Sequence, residues 1–529
     1  MVTSDALAAR RRWYILGVLC LSLTVIGIDN TILNVALPSI VEGLDASGSQ
    51  LQWMVDAYAI VFACLLLTAG ALGDRFGRRR ALLTGLAWFG VFSALASLAN
   101  TPVQLIIARG LMGIGGAFIF PTTLSILTNI FHDPRERSRA IGVWAGVSGV
   151  GIAAGPLLGG LLVEHFGWHS VFWINAPVCA AGFVLTALVI PPLTSEAKHP
   201  LDPIGAVLSI VGLVGLLYAI IQAPNGRWTD PGVLIGFADA VLVLSAFAWW
   251  ETKTAHPMLD VQFFKNPRFS AASATITITT FALYASTFLL TQYFQFILGY
   301  SPLKAGVMIT PLAVGLMIGS PQAPRLVERY GTKRVVLGGL TLVALGMACY
   351  GSNTIMSSFT AGLVVRFFYG LAFGFVGPPV TESIMGSIPK ERAGVGSAVN
   401  DTTRQVGGAL GVAVLGSIFA ARYHMMMDAS TRVPASLKHA ARESIGATLG
   451  IANGTKDQAL AAQLRQAGYG AFHSSMRITY TCAVVIVLGA MFVAWKFLPA
   501  RAVDMTDSHI EIPSGGAPLA AAAEVEIPA

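Results

Sequence analysis

Two opposite charges lie inside hydrophobic segments of this chain, Asp29 in the first and Arg109 in the fourth. Each lies about six to eight residues, or roughly 9–12 Å of helix, from the end of its segment predicted to face outward. A charge at that depth costs at least ~2.5 kcal/mol on insertion scales. Opposite charges at one depth can pair and so reduce this cost, and a carboxyl group can also take up a proton. This is the chemistry that proton coupling across a membrane requires.

A third acid, Asp56, lies at a similar depth in the second hydrophobic segment. It is either a second acid of the same cluster or a solvated residue that faces an outer vestibule. Asp29 also has two interpretations. It is either the acid that couples transport to protons or one partner of a structural ion pair with Arg109 that never titrates. Both alternatives stay open from the sequence alone.

The composition predicts an all-α membrane protein. The 529 residues are 54% hydrophobic and 12% charged, with a mean hydropathy of +0.68, whereas soluble domains carry about 25% charged residues. Stretches long enough to span a bilayer recur along the whole chain. Fourteen transmembrane helices are predicted, at 13–37, 51–72, 81–99, 103–127, 140–163, 170–190, 204–222, 232–250, 269–297, 304–325, 334–353, 358–382, 399–421 and 476–498.

The basic residues predict the orientation. They cluster at 10–12, 75–80 and 135–139 and in later loops on the same side, whereas the short loops on the other side hold only Arg227 and Lys304. Positive loops stay in the cytoplasm, so both termini are predicted to be cytoplasmic, in a bacterial inner membrane. The net charge of +7 then reflects topology, and no nucleic-acid partner is expected. The five cysteines all fall within predicted spans, and no metal site is expected.

An internal repeat divides the chain into two halves. The segment 75–79 recurs at 329–333, Arg109 recurs at Arg366, and 134–137 recurs at 389–392. Helices 1–6 and 9–14 are therefore predicted to be two copies of one six-helix bundle. The predicted organisation is a cytoplasmic N-terminus at 1–12, a first bundle at 13–190, a linker with inserted helices 7 and 8 at 191–268, a second bundle at 269–498 with an outer loop at 422–475, and a disordered cytoplasmic tail at 499–529.

Four motifs resemble those of the major facilitator superfamily. Residues 70–80, GALGDRFGRRR, match the superfamily's loop between helices 2 and 3. Residues 149–160 resemble the helix-5 signature of its drug–proton antiporters. Residues 28–38 and 396–411 look like motifs of the fourteen-helix branch in helices 1 and 13. The resemblance implies the major facilitator fold, in which two six-helix halves flank a site at the membrane midplane.

The loop and helix-5 motifs supply two further candidate sites. The resemblance implies an inner gate at Asp74, Arg75, Gly77 and Arg78. The glycine there permits a tight turn, and Asp74 is expected to cap the start of helix 3. Inner arginines are also what topology alone requires. The helix-5 residues expected to form a hinge are Gly151, Gly155, Pro156 and Gly159, whose small side chains and proline equally fit tight packing.

The candidate substrate pocket draws on both halves. In the second half, the counterpart of Asp29 falls near Tyr284, so the acid is absent there and proton coupling is expected in the first half. Aromatic and amide side chains near the end of helix 9 could line a pocket or could face lipid. The predicted pocket residues are Asp29, Asn34, Tyr284, Gln292, Tyr293 and Gln295.

These features favour a proton-driven exporter of amphipathic drugs or antibiotics. One alternative is a dedicated exporter of a single metabolite. Alternatives of another class are a non-transporting membrane sensor and a passive uniporter, and these two need no titratable acid. The chain has no phosphate-binding loop and no metalloprotease motif, so no enzyme activity is expected. The expected partners are a small amphipathic substrate and the lipid bilayer. The protein is expected to be a monomer with no cofactor other than protons.

Overall fold

The computed structural model describes residues 2–46, 48–191, 202–223, 228–352, 359–389 and 392–499. All regular structure in these segments is helical. The predicted tail at 499–529 lies outside them except for its first residue.

Fourteen long helices, numbered here as in the sequence prediction, account for the described chain. Seven of the fourteen, from helix 4 to helix 14, are preceded by a Ser, Thr, Asp or Asn whose side chain accepts a backbone N–H of the first turn. The bounds of the fourteen helices are Val2–Leu44, Gly48–Phe76, Arg78–Ala96, Pro102–Ile130, Pro134–Phe166, Ser170–Trp173 continued by Asn175–Val189, Pro203–Gln222, Pro231–Lys253, Pro267–Gln292 continued by the π-helical turn Tyr293–Ile297, Pro302–Tyr330, Thr332–Tyr350, Phe359–Met385, Ala393–Ala429 and Gln458–Phe497.

Thirteen of these helices are long and apolar enough to cross a membrane. Helix 3 is the exception, because it starts with three arginines that lower its hydropathy, although its 19 residues are long enough. It packs between helices 4 and 6 in the first bundle. The fourteen-helix, all-α membrane fold is therefore confirmed.

The packing repeats between the two halves as the sequence does. In the first half, helix 1 packs on helix 5, helix 2 on helix 4, and helix 3 on helix 6. In the second half, helix 9 packs on helix 13, helix 10 on helix 12, and helix 11 on helix 14. The halves meet along two matching seams, helix 5 against helix 10 and helix 2 against helix 13.

The inserted helices 7 and 8 pack on each other at the outside of the helix 2–helix 13 seam. Trp53 of helix 2 stacks on Tyr218 of helix 7 with ring centroids 6.3 Å apart. Trp228, between helices 7 and 8, donates to Ser417 of helix 13 at 2.9 Å. The carboxylate of Asp239 in helix 8 faces helix 7. It lies so close to Gly215 of that helix that a Cβ there would collide with it.

The structure differs from the sequence prediction between 422 and 475, where a loop was expected. Helix 13 continues to Ala429, helix 14 already begins at Gln458, and two short helices, Ala435–Glu443 and Ile445–Gly454, lie between them. The segment is polar but rich in alanine, which favours helix. Ser444 and Asp457 cap the helices that follow them.

Candidate functional site

Asp29 and Arg109 form a buried ion pair. Arg109 Nη1 lies 2.6 Å from Asp29 Oδ2, and the two side chains are 2% and 1% exposed. Arg109 also donates from Nε to the Met54 carbonyl at 3.1 Å. Its guanidinium carbon lies 4.3 Å from the ring centroid of Tyr58. The structure thus brings the two predicted charges together. It also shows that helix 2 contacts Arg109 through the Met54 carbonyl and the Tyr58 ring.

Asn175 completes the coordination of the carboxylate. Its Nδ2 donates to Asp29 Oδ1 at 3.1 Å and also contacts Ser93 Oγ at 3.1 Å. The Ser93 hydroxyl in turn donates to the Phe172 carbonyl at 2.8 Å. Asn175 did not enter the predicted site, although it is a polar residue in an apolar span. The depth argument that selected Asp29 would also have selected Asn175.

The structure does not place Asp56 in this cluster. Helix 2 turns about 100° per residue, so Asp56 points about 160° away from Tyr58, toward the face that carries Asp74. Asp56 is half-buried, and its Oδ2 has no hydrogen-bond partner among the described residues. Its role stays a prediction.

The second half has a matching cluster without a carboxylate. The offset of 257 residues that links Arg109 with Arg366 places the counterpart of Asp29 at Ser286, two residues from Tyr284, near which it was predicted. Ser286 Oγ lies 2.8 Å from the Tyr369 hydroxyl, and the Tyr480 hydroxyl approaches the Ser286 carbonyl at 3.5 Å. The predicted absence of an acid beside Arg366 agrees with the described residues: Arg366 forms no ion pair there.

The predicted pocket residues of helix 9 lie in different environments. Tyr284 is 47% exposed, and its ring lies against Gly408 of helix 13. Tyr293 is 2% exposed because it packs against Phe472 and His473 of helix 14. Tyr293 therefore does not line an open surface in this conformation. Gln292 and Gln295 are half-buried, and the side chain of Asn34 lies outside the described residues.

Asp74 connects the two halves. It pairs with Arg78 at 2.8 Å. Its two oxygens accept the backbone N–H groups of Gly394 at 3.0 Å and Val395 at 3.2 Å. Asp74 thus caps helix 13 of the opposite half. A carboxylate is favourable there because the N-terminus of a helix is electropositive. The sequence had predicted a cap at the start of helix 3, where no side chain caps the helix.

The other predicted gate residues have different surroundings. Gly77 precedes helix 3 with φ of 99°, a conformation that requires glycine. Arg75 is exposed, with its guanidinium over the Phe76 ring at 5.4 Å. Among the described residues, Arg75 forms no ion pair with the other half.

A second contact between the halves joins Arg137 and Glu382. Arg137 donates from Nε and Nη2 to Glu382 Oε1 at 2.9 and 2.6 Å, with both side chains mostly buried. Arg139 and Glu328 add an exposed pair at 3.5 Å. Like Asp74, these residues lie at the basic end of the molecule, which is defined by the arginines at 75–80 and 135–139. Glu382 did not enter the predicted site, because an acid near a helix end fits ordinary topology.

Helix 5 is held between helix 1 and helix 10. A Cβ on Gly151 would lie 2.5 Å from the Gly27 carbonyl carbon, and one on Gly155 would collide with Thr31. Gly159 lies against Ile32 of the same helix 1. The predicted hinge glycines thus face helix 1 within their own half. The side chain of Pro156 lies outside the described residues.

Another buried acid, Asp401 of helix 13, did not enter the sequence prediction. It is 1% exposed and accepts the Asn400 amide at 2.9 Å, whereas its Oδ2 has no partner among the described residues. Arg404, one turn along, donates to Thr381 at 2.9 Å. Both lie within the motif at 396–411 that resembled the fourteen-helix branch.

Comparisons with known proteins agree with this architecture. The family model described as Major Facilitator Superfamily matches residues 19–412. The multidrug efflux pump LfrA of Mycolicibacterium smegmatis is 35% identical over 483 residues, 91% of this chain and 95% of the relative. The tetracenomycin C resistance and export protein of Streptomyces glaucescens is 31% identical over 516 residues, 96% of this chain and 95% of the relative. The methyl viologen resistance protein SmvA of Salmonella typhimurium is 32% identical, covering 91% of this chain and 98% of the relative.

Solved structures show the same fold at lower identity. The human organic anion transporter MFSD10 superposes with a TM-score of 0.62 at 13% identity, covering 91% of this chain and 99% of that chain. The proton:xylose symporter XylE gives 0.59 at 15% identity, covering 93% and 98%. Family model, relatives and fold agree with the motifs in the sequence, and the chain therefore belongs to the major facilitator superfamily.

Proposed function

We propose that this protein exports amphipathic drugs or antibiotics across a bacterial cytoplasmic membrane in exchange for protons. Relatives that match more than nine-tenths of the chain are named as a multidrug efflux pump and as resistance proteins. We take the protein to act as a monomer, since each chain contains both halves. We expect no cofactor other than protons.

The observation that carries the proposal is the enclosed pair Asp29–Arg109. An arginine does not release its proton in a protein. A rearrangement that separates the pair therefore leaves a buried carboxylate, which must bind a proton or pair with a cationic group. The proton and the substrate would then compete for one acid, and this competition couples their movements in opposite directions.

The contacts between the halves support alternating access. Within the described residues, the ion pairs and caps that join the halves, Asp74 to helix 13, Arg137 to Glu382 and Arg139 to Glu328, all lie at the basic end. If that end faces the cytoplasm, as positive charge favours, the structure is closed to the cytoplasm. Breaking these contacts would open the cytoplasmic side.

A second candidate function is the export of one compound made by the host cell. The relative from Streptomyces glaucescens is named as an export protein for tetracenomycin C. The two candidates differ in substrate range and not in coupling. A sensor or a passive uniporter would need no buried acid.

Accumulation of the fluorescent cation ethidium and of a panel of unrelated antibiotics tests the proposal. Cells that produce the protein should accumulate several of these compounds less than control cells, and a proton uncoupler should abolish the difference. A difference confined to one compound favours the dedicated exporter. A difference that persists with the uncoupler contradicts proton coupling.

A further inference from the structure

Arg366 is a buried cation without a carboxylate. Its side chain is 3% exposed, its Nε has no hydrogen-bond partner, and it forms no ion pair among the described residues. Its repeat counterpart, Arg109, is neutralised by Asp29 at 2.6 Å. An unpaired charge at membrane depth is costly, so Arg366 needs another source of negative charge.

The segments around Arg366 do not supply that charge. Arg366 lies against Phe294 at the end of helix 9, Phe294 stacks with Tyr300 of the segment that joins helices 9 and 10, and helix 11 packs on the helix that carries Arg366. Helices 9, 11 and 14 contain no Asp or Glu, and the short loops at 298–301 and 351–358 contain none either. The second half has kept the arginine of the repeat and has a serine where the first half has its acid.

The surroundings of Arg366 are suited to an anion. Its guanidinium carbon lies 4.9 Å from the ring centroid of Phe294. The hydroxyl of Tyr350 is buried and has no hydrogen-bond partner among the described residues. The Tyr350 ring packs at 5.1 Å on Tyr369, which follows Arg366 by one turn of helix 12. A guanidinium offers several N–H donors and a phenol offers one. Two donor groups without a hydrogen-bond partner among the described residues, Arg366 Nε and the Tyr350 hydroxyl, therefore lie on the neighbouring helices 12 and 11.

An aromatic path connects this region with the end of the molecule opposite the basic end. Phe294 stacks with Tyr300 at 6.4 Å between centroids, and Lys304 Nζ lies 3.9 Å from the Tyr300 ring centroid. Lys304 lies in the first turn of helix 10 and is exposed. Positive charge thus continues from the surface toward Arg366, which favours the approach of anions.

We propose that Arg366 and the Tyr350 hydroxyl bind a single negative charge. The ligand is either a carboxylate or phenolate of the transported molecule or a halide that takes the same position. The first source rests on the proposed transport function and would extend the substrates to anionic and zwitterionic aromatic compounds, while the second source does not depend on transport.

Ligand binding to the purified full-length protein tests this proposal. The probes are 2-naphthoate, its neutral analogue 2-naphthamide, and chloride compared with gluconate at constant ionic strength. If the anion comes from the substrate, 2-naphthoate should bind at least tenfold more tightly than 2-naphthamide. If the bound anion is a halide, chloride should raise the Tm relative to gluconate, and 2-naphthoate should bind no more tightly than 2-naphthamide. Arg366→Gln should abolish whichever effect is present.

Two further variants keep the test decisive. Tyr350→Phe removes only the unpaired hydroxyl and should weaken anion binding severalfold, which remains measurable if Arg366→Gln does not fold. Arg477→Gln removes an exposed arginine at the same end of the second half and should have no effect. Equal affinity for naphthoate and naphthamide together with no chloride effect overturns the proposal, as does anion binding that persists in Arg366→Gln. Failure of the transport function would appear separately, as loss of ethidium export.

Discussion

Asp29 and Arg109 stabilise the first half only as a pair, because both are removed from solvent. Removing one partner of a buried pair costs about 3–5 kcal/mol, since the other charge stays buried alone. Asn175 and the Met54 carbonyl satisfy further polar atoms of the pair. At this scale, the environment of each charge decides how the protein responds to its loss.

Arg109→Ala should therefore destabilise the protein by about 3–5 kcal/mol, and adding Asp29→Ala should restore much of that loss. Arg366→Ala leaves no acid unpaired and should cost clearly less. Thermal unfolding of the purified variants measures both effects. Equal losses in Arg109→Ala and Arg366→Ala, with no rescue by Asp29→Ala, would contradict this asymmetry between the halves.

The sequence could indicate the Asp29–Arg109 pair, because two opposite charges at equal depth in apolar helices are costly unless they meet. It could not predict that Asp74 would cap helix 13, since that contact joins residues 320 positions apart. Asp56 shows the same limit, because its depth is readable from the sequence while the face of helix 2 that meets the cluster is not.

Helix 5 contacts both halves of the molecule through glycines on different faces. Gly151, Gly155 and Gly159 meet helix 1, whereas a Cβ on Gly149 would lie 2.7 Å from the Ala313 carbonyl of helix 10. The close approach of helix 5 to helix 10 therefore depends on the absence of a side chain at Gly149.

Gly149→Ala should force helices 5 and 10 apart, at a cost of about 1–3 kcal/mol for overpacking. We expect lower thermal stability and export reduced severalfold. Gly489→Ala is the matched control, because a Cβ there would meet nothing within 4 Å. Equal behaviour of the two variants in both assays would show that the helix 5–helix 10 contact tolerates extra volume.

The elements themselves were largely predictable, since apolar length and the repeat locate fourteen helices. The ends were less predictable: helix 14 begins at Gln458 and not at 476. Hydropathy detects only the part of a helix in lipid, so helical extensions beyond the membrane resemble loops. Their alanine content was the remaining signal.

In the whole molecule, the two halves are related by a repeat in sequence and packing, and the ion pairs described between them lie at the basic end. Arg137 and Glu382 form the most buried ion pair between them. The sequence could not reveal which end is closed, because both conformations of a transporter share one sequence. Only the contacts between residues of different halves show it.

Arg137→Gln should weaken closure at the basic end, and the double variant Arg137→Gln/Glu382→Gln should be less affected than the sum of the single changes. Labelling of Ser397→Cys, a buried position at this end of helix 13, by a membrane-impermeant maleimide reports opening in a background without the five native cysteines. We expect severalfold faster labelling in Arg137→Gln. Arg442→Gln, which breaks an exposed pair with Asp428, should leave the rate unchanged; a similar acceleration there would rule out a specific gate.

Exchange in proteoliposomes under an imposed pH gradient shows whether Asp29 couples export to proton entry. Asp29→Asn keeps the size of the side chain and removes the titratable proton. We expect this variant to insert and to bind ethidium, and its rate of proton-driven ethidium transport to fall at least tenfold. Asp239→Asn, a membrane-embedded acid of the peripheral helix 8, should keep transport. Proton-driven transport by Asp29→Asn at the rate of the unmodified protein would show that Asp29 does not couple export to protons.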